Sequence, residues 1–367
     1  MSGTTLVLAG DVMTGRGIDQ ILQHPGDPRL HERWVHSAGD YVRLAEQKNG
    51  QIPRQVTPGY IWGDALARMV QAQSDVRIIN LETAITSRGE PWADKGIHYR
   101  MHPRNVGCLT VAGIDCCVLA NNHVLDYSRQ GLLDTLVALD LAGLAVAGAG
   151  RDASGAASLA LLDVGSGSRV VVAGLAAPSS GVPGSWAAES SRPGVTLIRR
   201  FDHDAAERVA ERIGEVVKPG DTVVVSIHWG GNWGYIVPPA HQRFARALID
   251  RAGVHVVHGH SSHHPMGIEV YRERLILYGC GDLINDYEGI RGHDEYRSDL
   301  RLLYLATVDP TDGRLIRLEL VPLRTRRFRL ENATAADAAW MASRLTVESR
   351  SLGAAVEATA GGLRLVW

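Results

Sequence analysis

The chain has 367 residues and a formal net charge of −2, because 38 lysines and arginines nearly balance 40 acidic residues. This balance is not typical of proteins that bind nucleic acid or anionic membranes by electrostatic attraction, so we expect neither partner. Hydrophobic residues make up 45 % of the sequence, which is enough for a packed core. The sequence begins with a predicted strand and has no secretory or membrane-spanning pattern, and its four cysteines lack metal-binding spacing. We therefore expect a cytoplasmic protein with reduced thiols.

The predicted elements alternate between strands and helices. Short runs rich in Val, Ile and Leu predict buried strands, and longer amphipathic stretches predict helices. In chain order, the predicted strands cover Leu6–Ala9, Val76–Asn80, Cys116–Ala120, Leu144–Gly148, Ala160–Asp163, Arg169–Leu175, Thr222–Ile227, His255–Val257, Gly267–Tyr271, Leu275–Gly279, Leu302–Val308 and Leu315–Pro322. The predicted helices cover Ala65–Gln73, Arg104–Ala112, Gln130–Ala142, Asp204–Val217, Pro239–Ala252 and Ala335–Ser349. This alternation is typical of a layered α/β fold.

The domain organisation predicted from this pattern is one main domain with a short extension. Residues 20–60 are polar and interrupted by Gly and Pro, so we interpret them as an inserted, lid-like segment. The main domain then covers residues 1–330. Residues 331–367 are predicted to form a C-terminal helical extension that packs on it.

Polar motifs follow five of the predicted strands and give the strongest functional signal. They are GDVMTGR (Gly10–Arg16), NLETAIT (Asn80–Thr86), ANNHVLDYS (Ala120–Ser128), SIHWGG (Ser226–Gly231) and HGHSSHHP (His258–Pro265). Open α/β proteins bind ligands at the carboxyl ends of their parallel strands. Asp, Glu, Asn and His side chains at these ends therefore predict one shared pocket with metal-binding or acid/base chemistry.

The first three motifs supply acidic and proton-carrying side chains. Asp11 can ligate a cation or orient a histidine, although Gly-Asp pairs also occur in ordinary turns. Glu82 offers a carboxylate ligand and Asn122 a neutral carbonyl ligand. His123 can carry a proton near neutral pH, and Asp126 can hold its tautomer, unless both only stabilise a strand-to-helix turn.

The second half of the chain adds imidazole groups and another acid. His228, His260 and His263 follow consecutive predicted strands, and neutral imidazoles are common ligands of divalent ions. A mixed set of Asp, Glu, Asn and His suits Mn, Fe, Mg or Ca better than tetrahedral zinc. Asp282 follows the strand Leu275–Gly279 and either forms a second His–Asp pair or caps a loop.

Four residues are candidates for substrate binding. Arg16 and Arg100 can hold a carboxylate or phosphate through two parallel hydrogen bonds, although an arginine at the surface is the ordinary alternative. Trp229 and Trp233 can form an aromatic wall beside the substrate. They can equally be packing residues under a glycine-rich loop.

The motifs, in this order from Gly10 to about Asp299, resemble the CapA family. This family is linked to poly-γ-glutamate capsule synthesis and belongs to the calcineurin-like metallophosphatase superfamily. The resemblance implies a four-layered α/β/β/α sandwich with the site at the strand ends, and it makes His123 the proton carrier. It also implies a metal locus formed by Asp11, Glu82, Asn122, His228, His260 and His263.

The sequence departs from the superfamily at two positions. Met13 stands where the hydrolases usually have a histidine, and Asn80-Leu81-Glu82 stands where they usually carry an aspartate. We therefore expect one divalent ion (Ca, Mn or Mg) held partly through water, rather than a tight dinuclear centre. No organic cofactor is expected.

Three functions are compatible with this resemblance. The chain looks like the soluble branch that epimerises peptides in lasso-peptide biosynthesis, with a ribosomal precursor peptide as substrate partner. Two His–Asp pairs would invert one Cα centre from L to D. The expected catalytic residues are His123, Asp11, His260, Asp126 and Asp282. The alternatives are metal-dependent hydrolysis of a phosphoester or γ-glutamyl amide bond and a non-catalytic role in poly-γ-glutamate synthesis, and the oligomeric state stays open.

Overall fold

The computed structural model describes residues 3–165 and 167–367, which form a mixed α/β structure. The strands in this part are β1 (Thr4–Val12), β2 (Val76–Leu81), β3 (Ala84–Ile85), β4 (Arg100–Met101), β5 (Cys116–Val118), β6 (Ala145–Ala147), β7 (Ala149–Gly150), β8 (Ala160–Asp163), β9 (Arg169–Ala176), β10 (Gly194–Val195), β11 (Thr222–His228), β12 (Val256–His260), β13 (Ile268–Tyr271), β14 (Arg274–Leu277), β15 (Asp282–Ile284), β16 (Leu300–Val308), β17 (Leu315–Arg326), β18 (Arg329–Asn332), β19 (Ala355–Thr359) and β20 (Gly362–Val366). The α-helices are α1 (Gly17–Ile21), α2 (Ala38–Asn49), α3 (Asp64–Gln71), α4 (Gly107–Thr110), α5 (Ser128–Leu141), α6 (Ala153–Ala157), α7 (His203–Gly214), α8 (Pro239–Ala252) and α9 (Ala335–Ser349).

The larger of the two main sheets has ten strands and β1 near its centre. The order is β19-β20-β17-β16-β1-β2-β5-β6, with β15 also paired to β1 and β18 to β17. The beginning of β1 pairs antiparallel with β16, whereas its last residues pair in parallel with β15. This change of partner brings the chain around residue 282 beside the carboxyl end of β1.

The second main sheet has six strands in the order β13-β14-β12-β11-β9-β8, and β9, β11, β12 and β14 are parallel. Alternate residues of β11 face opposite sides of this sheet, as the pleat requires. Val224 belongs to the apolar cluster that also contains residues of the ten-stranded sheet. Val223 and Val225 belong to a second cluster with α7 and α8. One face of the six-stranded sheet therefore packs toward the other sheet and one toward helices.

These elements confirm the α/β class predicted from the sequence. The order of four layers stays a prediction, as does the division at residue 330. The segment predicted as a lid contains the unpredicted helix α2, in which Tyr41, Val42 and Ala45 are buried. The C-terminal segment contains the predicted helix Ala335–Ser349 and also the unpredicted hairpin β19–β20, which extends the ten-stranded sheet through β17.

Two further expectations can be compared with the described residues. All four cysteines are buried and none forms a disulfide. None of the helices in residues 3–165 and 167–367 has the length and apolar character needed to cross a membrane.

Candidate metal and acid/base site

Backbone pairing at the ends of five strands brings the predicted site residues together. Asp11 of β1 stands opposite Asn80 of β2 and opposite Asp282 of β15. In the six-stranded sheet, His228 ends β11 and stands opposite His260, which ends β12. The two main sheets therefore each contribute side chains to one buried site.

The six ionisable side chains of this site are here named the Asp11 cluster, and they are Asp11, Glu82, His228, His260, His263 and Asp282. Two groups within it have metal-ligand spacing. Asp11, His228 and His260 form one group, and Asp11, His263 and Asp282 form the other, with donor atoms within 4.8 Å of one another in each. Asp11 is common to both, so the cluster offers positions for one or two cations on either side of a shared carboxylate.

The carboxylates of the cluster carry more negative charge than their surroundings balance. Burial, followed by the neighbouring Asp282, raises the pKa of Asp11 to about 7. Burial and the Asp11 carboxylate raise the pKa of Glu82 well above its usual range. Asn80 Nδ2 donates to Asp11 Oδ1 at 2.7 Å and to Glu82 Oε2 at 3.2 Å, but Asp11 Oδ2 has no hydrogen-bond partner among the described residues. A divalent cation would fit both the charge and the unpaired oxygen.

His228 and His260 are neutral imidazoles, which is the form that ligates metals. Burial lowers the pKa of both side chains well below the ordinary value. Their Nδ1 atoms lie 2.8 Å apart, and Ser226 Oγ lies 2.9 Å from His260 Nε2. Asn122 Oδ1 lies 3.0 Å from His228 Nε2, so the predicted ligand Asn122 contacts the cluster through this imidazole.

His263 and Asp282 form a close pair on the other side of Asp11. His263 Nδ1 lies 2.9 Å from Asp282 Oδ1. Burial alone would lower the pKa of His263, but Asp282 and Asp11 together outweigh burial and raise that pKa. Asn285 Nδ2 donates to the other oxygen, Asp282 Oδ2, at 2.5 Å and so fixes the orientation of this carboxylate. Asp282 was predicted as a catalytic residue, and in the structure it also belongs to a group with metal-ligand spacing.

A second His–Asp pair lies beside the cluster and includes a lysine that the sequence analysis missed. His123 Nδ1 lies 2.6 Å from Asp126 Oδ2, and Lys95 Nζ contacts both His123 Nδ1, at 2.9 Å, and Asp126 Oδ1. His123 Nε2 lies 3.7 Å from Glu82 Oε1. Burial, with a further contribution from Lys95, lowers the pKa of His123 to about 4 despite the opposing effect of Asp126. His123 is thus a neutral base near neutral pH, with Nε2 facing the Asp11 cluster.

Asn121 connects this pair to the cluster through four hydrogen bonds. Its Oδ1 accepts from the backbone N–H groups of His123 and Val124 at 3.1 and 3.0 Å. Its Nδ2 donates to Asn80 Oδ1 at 3.0 Å and to the Leu81 carbonyl oxygen at 2.8 Å. The Asn-Asn-His motif therefore positions His123 through Asn121.

The predicted substrate-binding arginines are held by other side chains. Arg16 is buried and donates to both carboxylate oxygens of Asp286, at 2.5 and 3.1 Å, and to Glu32 Oε1 at 2.9 Å. The guanidinium of Arg100 lies 4.2 Å from the centre of the Tyr127 ring. Their roles in substrate binding stay predictions, and Arg16 would have to exchange an existing ion pair for a substrate carboxylate.

The two candidate tryptophans lie in different environments. Trp229 is buried, stacks on His241 with ring centres 4.5 Å apart, and donates Nε1–H to the Tyr278 carbonyl oxygen. It belongs to the apolar cluster on the helix side of the six-stranded sheet, as the alternative packing interpretation expects. Trp233 is only partly buried, and its ring centre lies 5.3 Å from that of His263. Trp233 therefore borders the site, whereas Trp229 supports the strand that ends in His228.

Comparison with known proteins agrees with the resemblance to the CapA family. The family model described as bacterial capsule synthesis protein PGA_cap matches residues 5–287. A probable polyglutamine synthesis accessory protein of Mycobacterium tuberculosis is 52 % identical over 350 residues, which cover 95 % of this chain and 92 % of that protein.

Two relatives that are named CapA are more distant. The capsule biosynthesis protein CapA of Bacillus anthracis is 27 % identical over 294 residues, or 79 % of this chain and 62 % of that protein. The PGA biosynthesis protein CapA of Bacillus subtilis is 30 % identical over 222 residues, which cover 60 % of this chain and 56 % of that protein. None of these names refers to a lasso peptide or an epimerase, so that finer assignment has no support here. The chain belongs to the bacterial capsule synthesis protein family PGA_cap.

Proposed function

We propose that this protein is a metal-dependent hydrolase that acts on γ-glutamyl amide bonds during synthesis of a glutamyl polymer. The relatives named for capsule, PGA or polyglutamine synthesis support the polymer as the substrate class. The observation that carries the chemistry is the Asp11 cluster, in which two groups with metal-ligand spacing share one buried carboxylate. Hydrolysis of a γ-glutamyl amide was one of the alternatives in the sequence analysis, and the names of the relatives favour a role in glutamyl polymer synthesis over peptide epimerisation.

The residues of the cluster fit the requirements of amide hydrolysis. Asp11, His228, His260, His263 and Asp282 would hold one or two divalent ions. A divalent ion held there would supply Lewis acidity at a substrate carbonyl. His123 is neutral near pH 7, its Nδ1 side is occupied by Asp126 and Lys95, and its Nε2 faces Glu82. His123 Nε2 is therefore the atom that would accept a proton from the attacking water and then transfer it to the leaving amine.

The test measures metal content and cleavage of γ-linked glutamate oligomers by the same preparations. We expect Asp11→Asn and His260→Ala to lose both bound metal and cleavage, because each removes a donor atom. We expect His123→Ala to keep its metal and lose turnover by about 100-fold or more, as removal of a general acid or base does. His241→Phe serves as the control, since His241 is a buried histidine outside the cluster. Cleavage at the wild-type rate by metal-free Asp11→Asn would exclude the proposal.

Peptide epimerisation is the second candidate, and one observation favours it. Both His–Asp pairs that it requires are present, with His123 2.6 Å from Asp126 and His263 2.9 Å from Asp282. In D₂O, an epimerase would add one deuterium to a Cα of its peptide without cleaving it. Released glutamate without such exchange would assign the site to hydrolysis.

A further inference from the structure

A cavity of about 300 Å³ is lined by none of the residues of the Asp11 cluster, so the groups with metal-ligand spacing do not explain it. It is bounded by the end of α2, the loop after β15, and the strands β16 and β17. Its size is at the lower end of the range for small-molecule sites, roughly 300–1,000 Å³. The cavity therefore has room for a short segment of a ligand.

Four cationic side chains line this cavity, and we name them the basic cavity residues. They are Lys48, Arg301, Arg324 and Arg326. Lys48 and Arg326 are exposed, and no ion pair joins either to an acidic side chain within the described part of the chain. Arg324 has one long contact, 3.4 Å from Glu331 Oε2. Positive charge in the cavity is thus incompletely neutralised.

The two acidic side chains that line the cavity are already engaged elsewhere. Glu288 accepts hydrogen bonds from the backbone N–H groups of Arg327 and Phe328 at 2.8 and 2.9 Å, and from Asn49. Asp299 pairs with Arg297 through two hydrogen bonds of 2.8 and 2.9 Å. Among the described residues, neither carboxylate forms an ion pair with a basic cavity residue, and the four cations outnumber the two acids that line the cavity.

Arg301 is the most informative of the basic cavity residues, because its guanidinium is buried and forms no direct ion pair with a carboxylate of the described residues, although nearby acids stabilise its charge. The residue is 1 % exposed, and its Nη atoms donate to the carbonyl oxygens of Ser298 and Leu300 and to Asn285 Oδ1. Its Nε has no hydrogen-bond partner among residues 3–165 and 167–367, and the same holds for Arg324 Nε. A buried cation with an unused donor is costly, and an anionic ligand would offset that cost.

The cavity is connected to the Asp11 cluster through single side chains. Asn285 accepts from Arg301 Nη2 at 2.7 Å and donates to Asp282, which contacts His263. Tyr287 lines the cavity, and its ring centre lies 5.2 Å from that of His263. The cavity therefore adjoins the side chains that hold Asp282 and His263 in place.

We propose that the basic cavity residues bind the carboxylate groups of a glutamyl chain whose neighbouring amide bond lies at the Asp11 cluster. This inference rests on the proposed function and specifies its substrate as a polyanionic oligomer. The repeating carboxylates of such a chain match several cations spaced along one cavity. A single small anion would contact only some of the basic cavity residues.

The test measures binding by calorimetry, with a γ-linked glutamate pentamer as the probe. The double variant Lys48→Gln/Arg326→Gln changes exposed side chains, so we expect it to fold and to bind the pentamer about 10-fold or more weakly. Arg208→Gln removes an exposed cation of α7 as the matched control, and wild-type affinity is expected. A third variant, Arg301→Gln, should weaken binding further, with its fold checked by circular dichroism.

The possible outcomes distinguish failure of the ligand-binding assignment of the cavity from failure of the proposed hydrolysis. Equal pentamer affinity in the wild type and the double variant would overturn the cavity assignment. If the cavity binds inorganic phosphate but not the pentamer, and this binding depends on Lys48 and Arg326, the proposal that its ligand is a glutamyl chain would be overturned. Charge-dependent pentamer binding without cleavage of any γ-glutamyl bond would support the cavity and refute the hydrolase proposal.

Discussion

Replacement of Arg16 by methionine tests whether this residue stabilises the fold through a buried ion pair. Arg16 contacts Asp286 and Glu32, and the side-chain exposures of the three residues are 2, 0 and 5 %. Its guanidinium carbon also lies 3.8 Å from the centre of the Tyr41 ring. Methionine keeps much of the apolar stem of the side chain but removes the charge. The variant would leave two buried carboxylates without their cation.

The expected loss is large because the remaining carboxylates cannot reach water. Removal of one partner from a buried ion pair costs about 3–5 kcal/mol in the free energy of unfolding. The backbone N–H of Gly17 still donates to Asp286 Oδ2 at 2.9 Å, so we expect a value near the lower limit. At about 2 °C per kcal/mol for a large domain, a loss near that limit should lower the melting temperature by roughly 6 °C.

Urea unfolding followed by circular dichroism measures this loss without the salt effects of guanidinium. Arg29→Met is the matched control, because Arg29 pairs with Asp27 at 2.7 Å while its side chain is 82 % exposed. Exposed pairs contribute about 0–1 kcal/mol. Adding Asp286→Asn to Arg16→Met should recover part of the loss, since it removes one unpaired charge. If Arg16→Met and Arg29→Met lose equal stability, the reasoning from burial is wrong.

Three further changes test the backbone and the histidines. Gly10→Ala should prevent normal folding, because an added Cβ would lie 1.9 Å from a backbone carbonyl oxygen. Gly214→Ala is the control and should keep the wild-type melting temperature, because a Cβ at Gly214 has no atom within 4 Å. Lys95→Met removes a positive charge beside His123, so the pKa of His123 should rise from about 4 toward 6.5; an unchanged midpoint in an NMR titration would contradict the assigned contact. Burial lowers the pKa of His241 to about 4, so the stability it contributes is present above pH 6.5 and lost as the pH falls toward 4. Between pH 6.5 and 4, His241→Phe should therefore lose less unfolding free energy than the wild type does, by at most about 3 kcal/mol. If the variant and the wild type lose the same free energy over this range, His241 is not a buried neutral imidazole.

The sequence located the strand ends at which the candidate site residues lie, because these positions follow from local patterns. Apolar runs locate the buried strands, and the polar residue after each run must lie at the sheet edge. Asp11, His228 and His260 were identified in this way. The helix Ala335–Ser349 was predicted with its observed limits, since amphipathic periodicity is also a local property.

Features that depend on distant contacts could not be predicted. Lys95 lies in a loop without periodicity, and only the fold brings it to His123, 28 residues away. The ion pair of Arg16 joins residues 270 positions apart. The packing alternative given for Trp229 also has a local basis, since Trp229 follows His228 directly and alternation along the strand favours opposite faces for the two side chains.

If the Asp11 cluster binds the proposed ion, its position between the two main sheets would link metal supply to the integrity of the fold. Asp11 and Asp282 come from the ten-stranded sheet, and His228 and His260 from the six-stranded sheet. An ion bound across this boundary would recognise only the docked arrangement of the sheets and would add about 2.7 kcal/mol of stability at a hundredfold excess over its dissociation constant. In a cell short of that ion, newly made protein would separate its sheets more often and be exposed to proteolysis, so its abundance would follow the availability of the metal.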